Sequence, residues 1–242
     1  MKNKENYEVY LKHIQALSKV ASLITQGMYL DELLRLVVNV TAEIMNSKIC
    51  SLMLLDPDKN ELVVRATQSI SDEYNKKPNI KLGTGIAGEV AKYNKPIHIL
   101  DVKTDPRYLN RDIAKKEGLC SLASVPLAVK GRVIGVLNCY TSKKHKFTKH
   151  EIDLLITLAS QAAVAIENAE LDLRARTAEE ALTTRKLIER AKDLLSQEAN
   201  ILPSEAYRLI QKQSMDKRKT MREVAEAIIM ASELKDNRKN SR

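Results

Sequence analysis

The sequence predicts an α+β protein, with a mostly antiparallel sheet and flanking helices in the N-terminal part and helices alone in the C-terminal part. Three observations lead there. All seven glycines lie at or before Gly135, and five of the six prolines at or before Pro126. Residues 148–202 contain neither, and these two residues punctuate turns and break helices. The apolar spacing runs in threes and fours at first, then changes to short runs bounded by turn residues, then changes back. Helices, then strands, then a long helix describe an α+β layer architecture.

The elements follow in order. Tyr10, Ile14, Leu17 and Val20 recur at helical spacing, and after Gly27 so do Leu30, Leu33, Leu34, Val37 and Val38. The run Ile49–Leu55 reads as a strand ending in the turn Asp56-Pro57-Asp58-Lys59-Asn60, and Glu61–Thr67 is its hairpin partner. Further strands are expected at Pro96–Leu100, Cys120–Leu127 and Val133–Thr141, the last two joined by a tight turn at Lys130-Gly131. Ala87–Tyr93 and Asp112–Glu117 read as short helices between them. Thr148-Lys149-His150-Glu151 is a capping box opening a long helix. Its first apolar face is Ile152, Leu155, Ile156, Ala159, Ala162, Ala163 and Ile166. The stripe continues through Leu173, Thr177, Ala181, Thr184, Ile188, Ala191 and Leu195, a heptad pattern with one stutter. Two readings stand: a helix lying on its own domain, or a parallel coiled coil that makes a homodimer, which we favour. Thr220 and Glu223 form a second capping box. The organisation expected is a sensor-sized domain over 1–170, a linker helix over 171–185 and a helical unit over 186–242.

Composition excludes several classes. The chain has 242 residues, 44% hydrophobic and 29% charged, which is ordinary for a globular protein and not for a disordered or collagenous one. The longest uncharged stretch, Leu154–Ile166, is shorter than the roughly 20 residues of a membrane span. Residues 1–6 lack the apolar core of a signal peptide. A cytoplasmic protein without a membrane partner is expected. Cys50, Cys120 and Cys139 form no CxxC, and the four histidines are scattered, so no metal site is expected. No nucleophile–base pair is apparent, and Ser124 and Ser160 sit in no GxSxG elbow. The chain is therefore not expected to be an enzyme.

Several motifs then occur together. Gly83-Thr84-Gly85-Ile86-Ala87-Gly88-Glu89-Val90-Ala91 precedes Asn94-Lys95-Pro96-Ile97, Asp101 and Asp105-Pro106-Arg107-Tyr108. Ser124-Val125-Pro126-Leu127, Gly131–Asn138 and Phe147-Thr148 follow. This order resembles a GAF domain, a small-molecule sensor module, over about residues 15–170. The cyclic-nucleotide pattern of that family is not evident, and no cysteine stands where a bilin would attach. The resemblance therefore implies an unidentified small-molecule effector and names no cofactor. Candidate pocket residues are the strand positions Ser51, Met53, Ser124, Val136 and Asn138, with Tyr93, Asp101 and Tyr108 as wall or lid. Gly83-x-Gly85-x-x-Gly88 matches a dinucleotide fingerprint in spacing only, because its strand context is wrong. Tight turns explain it better. Asp56 ends a strand as a phospho-acceptor does, but the helical start of the chain leaves it a turn residue.

The C-terminal part carries a second resemblance. Ile188–Leu195 precedes Pro203-Ser204-Glu205-Ala206-Tyr207-Arg208-Leu209-Ile210-Gln211, then Ser214–Lys219, then Thr220-Met221-Arg222-Glu223-Val224-Ala225-Glu226-Ala227. This is similar to an ANTAR domain, a three-helix RNA-binding module of bacterial transcription antiterminators, over about residues 180–234. It departs from the common pattern at Asp193 and Ser196. The resemblance implies binding to tandem hairpins in leader transcripts.

Charge agrees with it. The chain carries net charge +9, and residues 208–222 hold six cations against Asp216 alone. Cations at a helix start suit phosphate better than they suit the helix dipole. Arg208, Lys212, Lys217, Arg218, Lys219 and Arg222 are the candidate phosphate contacts, with Lys192 and Ser214 beside them. Tyr207 is a candidate stacking platform. The alternatives are a cysteine-based redox sensor and a protein-interaction adaptor that binds no RNA.

Overall fold

A computed structural model describes residues 30–240 apart from Ile70, and the side chains of all of these except Asp72 and 235–240. The helix expected over residues 10–21 lies outside the described residues. The chain divides into two compact units, Met1–Leu171 and Asp172–Arg242.

The first unit is built on a six-stranded sheet in the order β3-β2-β1-β6-β5-β4. The strands are β1 (Ile49–Asp56), β2 (Glu61–Thr67), β3 (Ile80–Lys81), β4 (Ile97–Ile99), β5 (Leu122–Val129) and β6 (Arg132–Tyr140). Every neighbouring pair is antiparallel. Turn chemistry sets both long hairpins. Asp56 Oδ1 accepts the N–H of Asp58 at 3.0 Å and of Lys59 at 3.1 Å, so this carboxylate is a turn cap. Lys130 and Gly131 both take positive φ, 50° and 82°, as a two-residue hairpin turn demands.

Alternation along the strands makes two layers. One face, with Cys50, Leu52, Leu54, Val125, Leu127, Leu137 and Cys139, is covered by helix α1 (Leu30–Met45) and the start of α5 (Lys149–Ala199). The opposite face carries Ser51, Met53, Val136, Asn138 and Tyr140. It meets α2 (Asp72–Asn75), α3 (Gly85–Tyr93) and the segment around Tyr108. Helix α4 (Arg111–Lys116) completes that layer. Strand β3 and helix α2 are two short elements beyond those the sequence predicted.

Helix α5 starts at the expected capping box. Glu151 Oε2 accepts the Thr148 N–H at 2.7 Å, and Thr148 Oγ1 accepts the Glu151 N–H at 3.2 Å. Its first stretch is long and apolar enough to cross a bilayer by composition alone. Ile152, Leu155, Leu158, Ala159, Ala162, Ala163 and Ile166 are nevertheless buried, so the sheet core already accounts for that apolar face.

In the second unit, the end of α5 joins α6 (Pro203–Lys217) and α7 (Met221–Asn240). Ala191, Ile210, Ala225 and Ile229 are its buried centre, with Leu187, Ile188, Leu194, Leu195, Val224 and Ile228 packed around them. Ile188, Ala191 and Leu195, assigned by sequence to a dimer seam, therefore pack inside this unit. Of the predicted stripe, Leu173, Thr177, Ala181 and Thr184 lie outside this cluster. Residues 171–183 are exposed throughout.

Candidate functional site

The layer beneath α2 and α3 encloses a cavity of about 30 Å³. Strands β1 and β6 supply its floor because Ser51 pairs with Asn138 and Met53 with Val136 across the ladder. Ser51, Met53, Tyr108 and Asn138 line it, as the sequence predicted. The remaining candidates do not. Ser124 stands behind Asn138 and donates to its Oδ1 at 2.7 Å. Val136 is buried in the neighbouring apolar cluster with Met53, Leu62 and Val90. Tyr93, the last residue of α3, is 59% exposed. Asp101 folds its own turn instead, Oδ1 accepting the Lys103 N–H at 3.0 Å.

Three further side chains dominate the cavity: Tyr74, Lys77 and Tyr140. Tyr74 and Tyr108 each meet Tyr140 edge-on with ring centroids 6.3 Å apart. The Tyr74 hydroxyl donates to Ser51 Oγ at 3.1 Å, and the Tyr108 hydroxyl to that of Tyr140 at 3.4 Å. Burial pushes all three phenols above their ordinary range. Lys77 Nζ lies 3.2 Å from the centroid of Tyr74 and 5.6 Å from that of Tyr140. Burial brings its ammonium down to about 7, against a weaker opposing pull from Glu117. Tyr140 was legible, since it continues the alternation of Val136 and Asn138. Tyr74 and Lys77 sit in a polar segment without periodicity and gave no signal.

Glycine shapes one wall. A Cβ on Gly88 would meet the Lys81 carbonyl at 2.4 Å, and the Gly83 N–H donates to the Gly88 carbonyl at 2.8 Å. Gly83 and Gly88 thus make a close backbone crossing between β3 and α3, while Gly85 packs against Leu109 and the Arg107 carbonyl.

The cysteines form no surface site. Cys50 and Cys139 face each other across the ladder with Sγ atoms 3.0 Å apart, both fully buried. Burial and then the Cys50 contact push the Cys139 thiol up. Among the described residues no group of three or more His, Cys, Asp or Glu could hold a metal.

The basic residues occupy the helix–turn–helix of the second unit. Arg208 and Lys212 stand one turn apart on α6, both exposed. Lys217 ends α6, Arg218 and Lys219 form the turn, and Arg222 is in the first turn of α7. Arg218 adopts φ 53° and its N–H caps the Met215 carbonyl. Ser214, grouped with the contact residues by sequence, is a tie within the turn, its Oγ donating to the Lys219 carbonyl at 2.6 Å. Lys219 pairs with Glu223 at 3.5 Å and Arg222 with Glu226 at 2.8 Å, both exposed pairs that contribute little. Lys192 lies on α5, largely covered and held by Glu189. Among the described residues no carboxylate pairs with Arg208, Lys212, Lys217 or Arg218. Tyr207 is 42% exposed beside them, while Ala206 and Ile210 take the core positions.

One expectation changes here. The start of α7 offers fewer free N–H groups than its helix dipole suggests. Glu223 accepts the Thr220 N–H at 2.8 Å, and Thr220 Oγ1 accepts the Glu223 N–H at 3.2 Å. The capping box thus takes the Glu223 N–H and leaves those of Met221 and Arg222 for an anion, beside the side chains.

Residues 28–167 match the GAF domain family and residues 176–229 the ANTAR domain family. A methyl sulfide methyltransferase-associated sensor of Methanosarcina acetivorans is 31% identical over 172 residues, 69% of this chain and 17% of that protein. Transcriptional regulatory protein PdtaR of Mycobacterium tuberculosis is 30% identical over 152 residues, 59% of this chain and 72% of that protein. The GAF domain of a phosphoenolpyruvate-protein phosphotransferase from Coxiella burnetii superposes with TM-score 0.60 at 27% identity, covering 69% of this chain and 98% of that one. The chain spans 17% of the length of the Methanosarcina sensor and 21% of that of an Escherichia coli phosphotransferase-system relative.

Proposed function

The chain belongs to the GAF family and carries a C-terminal ANTAR domain, and from that premise we propose that it is a ligand-responsive, RNA-binding antitermination regulator. These domains are sensory and regulatory, and we assign the chain no catalytic step. In this reading residues 1–170 sense a small molecule, 171–185 form a linker helix and 186–242 bind tandem hairpins in a leader transcript. The protein acts in the cytoplasm, where transcripts emerge.

The observation that supports RNA binding is the turn joining α6 and α7. Four cations along α6 and this turn lack carboxylate partners among the described residues, two more are held only by weak exposed pairs, and Tyr207 offers an exposed ring. Cations grip phosphate, and an aromatic face accepts an unstacked loop base. Dimerisation uses the stripe of exposed Leu173, Thr177 and Ala181 with half-buried Thr184. Its two threonines make a weak seam, so two packings of similar free energy are available for an effector to bias.

The test is fluorescence anisotropy with a two-hairpin leader RNA across a salt series, comparing wild type with Arg218→Ala/Arg222→Ala. Structure-dependent binding whose salt slope falls by about one to two in the variant supports the reading. Binding that ignores hairpin structure and the substitutions overturns it in favour of an adaptor.

A further inference from the structure

We propose that the cavity beside Lys77 takes a compact monoanion of the carboxylate or small-oxyanion class, of the size of formate or bicarbonate. This rests on the reading of the GAF unit as a sensor and names its ligand class.

Charge is the first argument. Among the described residues Lys77 is the only charged side chain lining the cavity. Among the described residues no carboxylate lies within bonding reach of its ammonium. Buried charges in proteins are ordinarily paired, because an unpaired one is costly. The ring faces of Tyr74 and Tyr140 offset part of that cost. Among the described residues they leave the N–H groups of this half-buried lysine without a protein acceptor, so that solvent or a bound anion must supply one. Burial correspondingly lowers the proton affinity of this amine, and an anion beside it would restore it.

Hydrogen bonding is the second argument. The network uses up acceptors and leaves donors. Ser51 Oγ accepts from Tyr74, so its own hydrogen is free. The Tyr140 hydroxyl is shared between the hydroxyls of Tyr108 and Tyr74 and is used up within the tyrosine cluster. Asn138 Oδ1 is taken by Ser124, which leaves its amide N–H groups. One cation and two donors, the Ser51 hydroxyl and the Asn138 amide, converging on one space complement a group that only accepts.

Size is the third argument. About 30 Å³ is room for roughly two waters, which suits three or four heavy atoms and excludes a nucleotide.

The test uses the full chain labelled with ¹³C-tyrosine, with ring signals of Tyr74, Tyr108 and Tyr140 assigned from single Tyr→Phe variants. Sodium formate, bicarbonate and acetate are titrated against sodium chloride at equal ionic strength. The expected result is a saturable shift of the three pocket rings with at least one anion, and tenfold or greater weakening in Lys77→Met. Lys77→Gln repeats the comparison if Lys77→Met melts early. Formamide and methylammonium serve as neutral and cationic probes of similar size. Shifts with either of these but no anion, or undiminished anion binding in both Lys77 variants, overturn the anion assignment and leave a sensor pocket of another class. No pocket shift with any probe overturns the sensor reading as well.

Discussion

Ser214 Oγ donates to the Lys219 carbonyl at 2.6 Å, closing the turn that carries Lys217, Arg218 and Lys219. Ser214 thereby orders the cations without having to touch RNA itself. Replacing it with alanine removes one hydrogen bond, worth about 0.5–1.5 kcal/mol. We expect Ser214→Ala to lower the melting temperature of the protein while leaving the salt slope of RNA binding unchanged. A reduced slope would instead make Ser214 part of a phosphate contact.

Arg218 separates turn geometry from charge. At φ 53° it occupies the left-handed region that glycine favours. Relief of a left-handed penalty of about 1–2 kcal/mol exceeds the roughly 0.5–1 kcal/mol of added chain entropy, so Arg218→Gly should stabilise the protein by up to about 1 kcal/mol. The same change should weaken RNA binding and reduce the salt slope by about one. Denaturant melts and anisotropy on one preparation check both signs. Unchanged RNA affinity would remove Arg218 from the interface.

Lys77 and its tyrosines predict an unusual pH profile. Lys77 faces Tyr74 from α2, Tyr140 from β6 and the through-space charge of Glu117. Its folded value of about 7 lies below the ordinary 10.5. The unfolded chain thus binds more protons between these values, and stability rises with pH across that window. Tyr74, Tyr108 and Tyr140 are raised by burial from 10.0, so the folded state holds more protons above about 10 and stability falls there. Urea melts should show a maximum between about pH 9 and 10. Lys77→Met should flatten the rising limb and leave the falling one.

The sheet was legible because its strands announce themselves through alternation and turn chemistry. Asp56 to Asn60 and Lys130-Gly131 read correctly as turns for reasons the structure repeats. Ser51, Met53 and Asn138 were legible as pocket residues because period two places them on one face. Ser124 has the right face too, but its hydroxyl is used up by Asn138, a tertiary fact no spacing conveys. Tyr93 and Asp101 failed because exposure and local turn bonding are settled by packing. Lys77 was invisible, since a lysine in a polar segment reads as solvated until a fold closes over it. In the C-terminal unit the stripe Ile188, Ala191 and Leu195 was real but its partner was misread. An apolar periodicity says that a face is covered, not by what.

Gly88 tests the backbone crossing at the cavity wall. A methyl there would meet the Lys81 carbonyl at 2.4 Å, too close without moving β3 or α3. Gly88→Ala should cost about 1–3 kcal/mol, the range for overpacking a tight site. It should also perturb the ring signals of the pocket tyrosines before any ligand is added. Wild-type stability in this variant would show that the crossing yields freely.

The exposed stretch of α5 carries leucines unpartnered among the described residues. Leu173 and Leu182 are 57% and 54% exposed, and residues 171–183 bury nothing within the chain. A lone helix of this length gains little from propensity alone, whereas covering a leucine contributes about 1.5–3 kcal/mol. On the proposed reading, self-association through Leu173, Thr177, Ala181 and Thr184 is the expected outcome. Light scattering should give twice the 27.3 kDa chain mass at micromolar concentration. Leu173→Glu/Ala181→Glu should return the mass to that of one chain while leaving the melting of the GAF unit unchanged. A wild-type protein with the single-chain mass at every concentration tested would remove the coiled coil, and any effector signal would then have to reach the ANTAR unit within one chain.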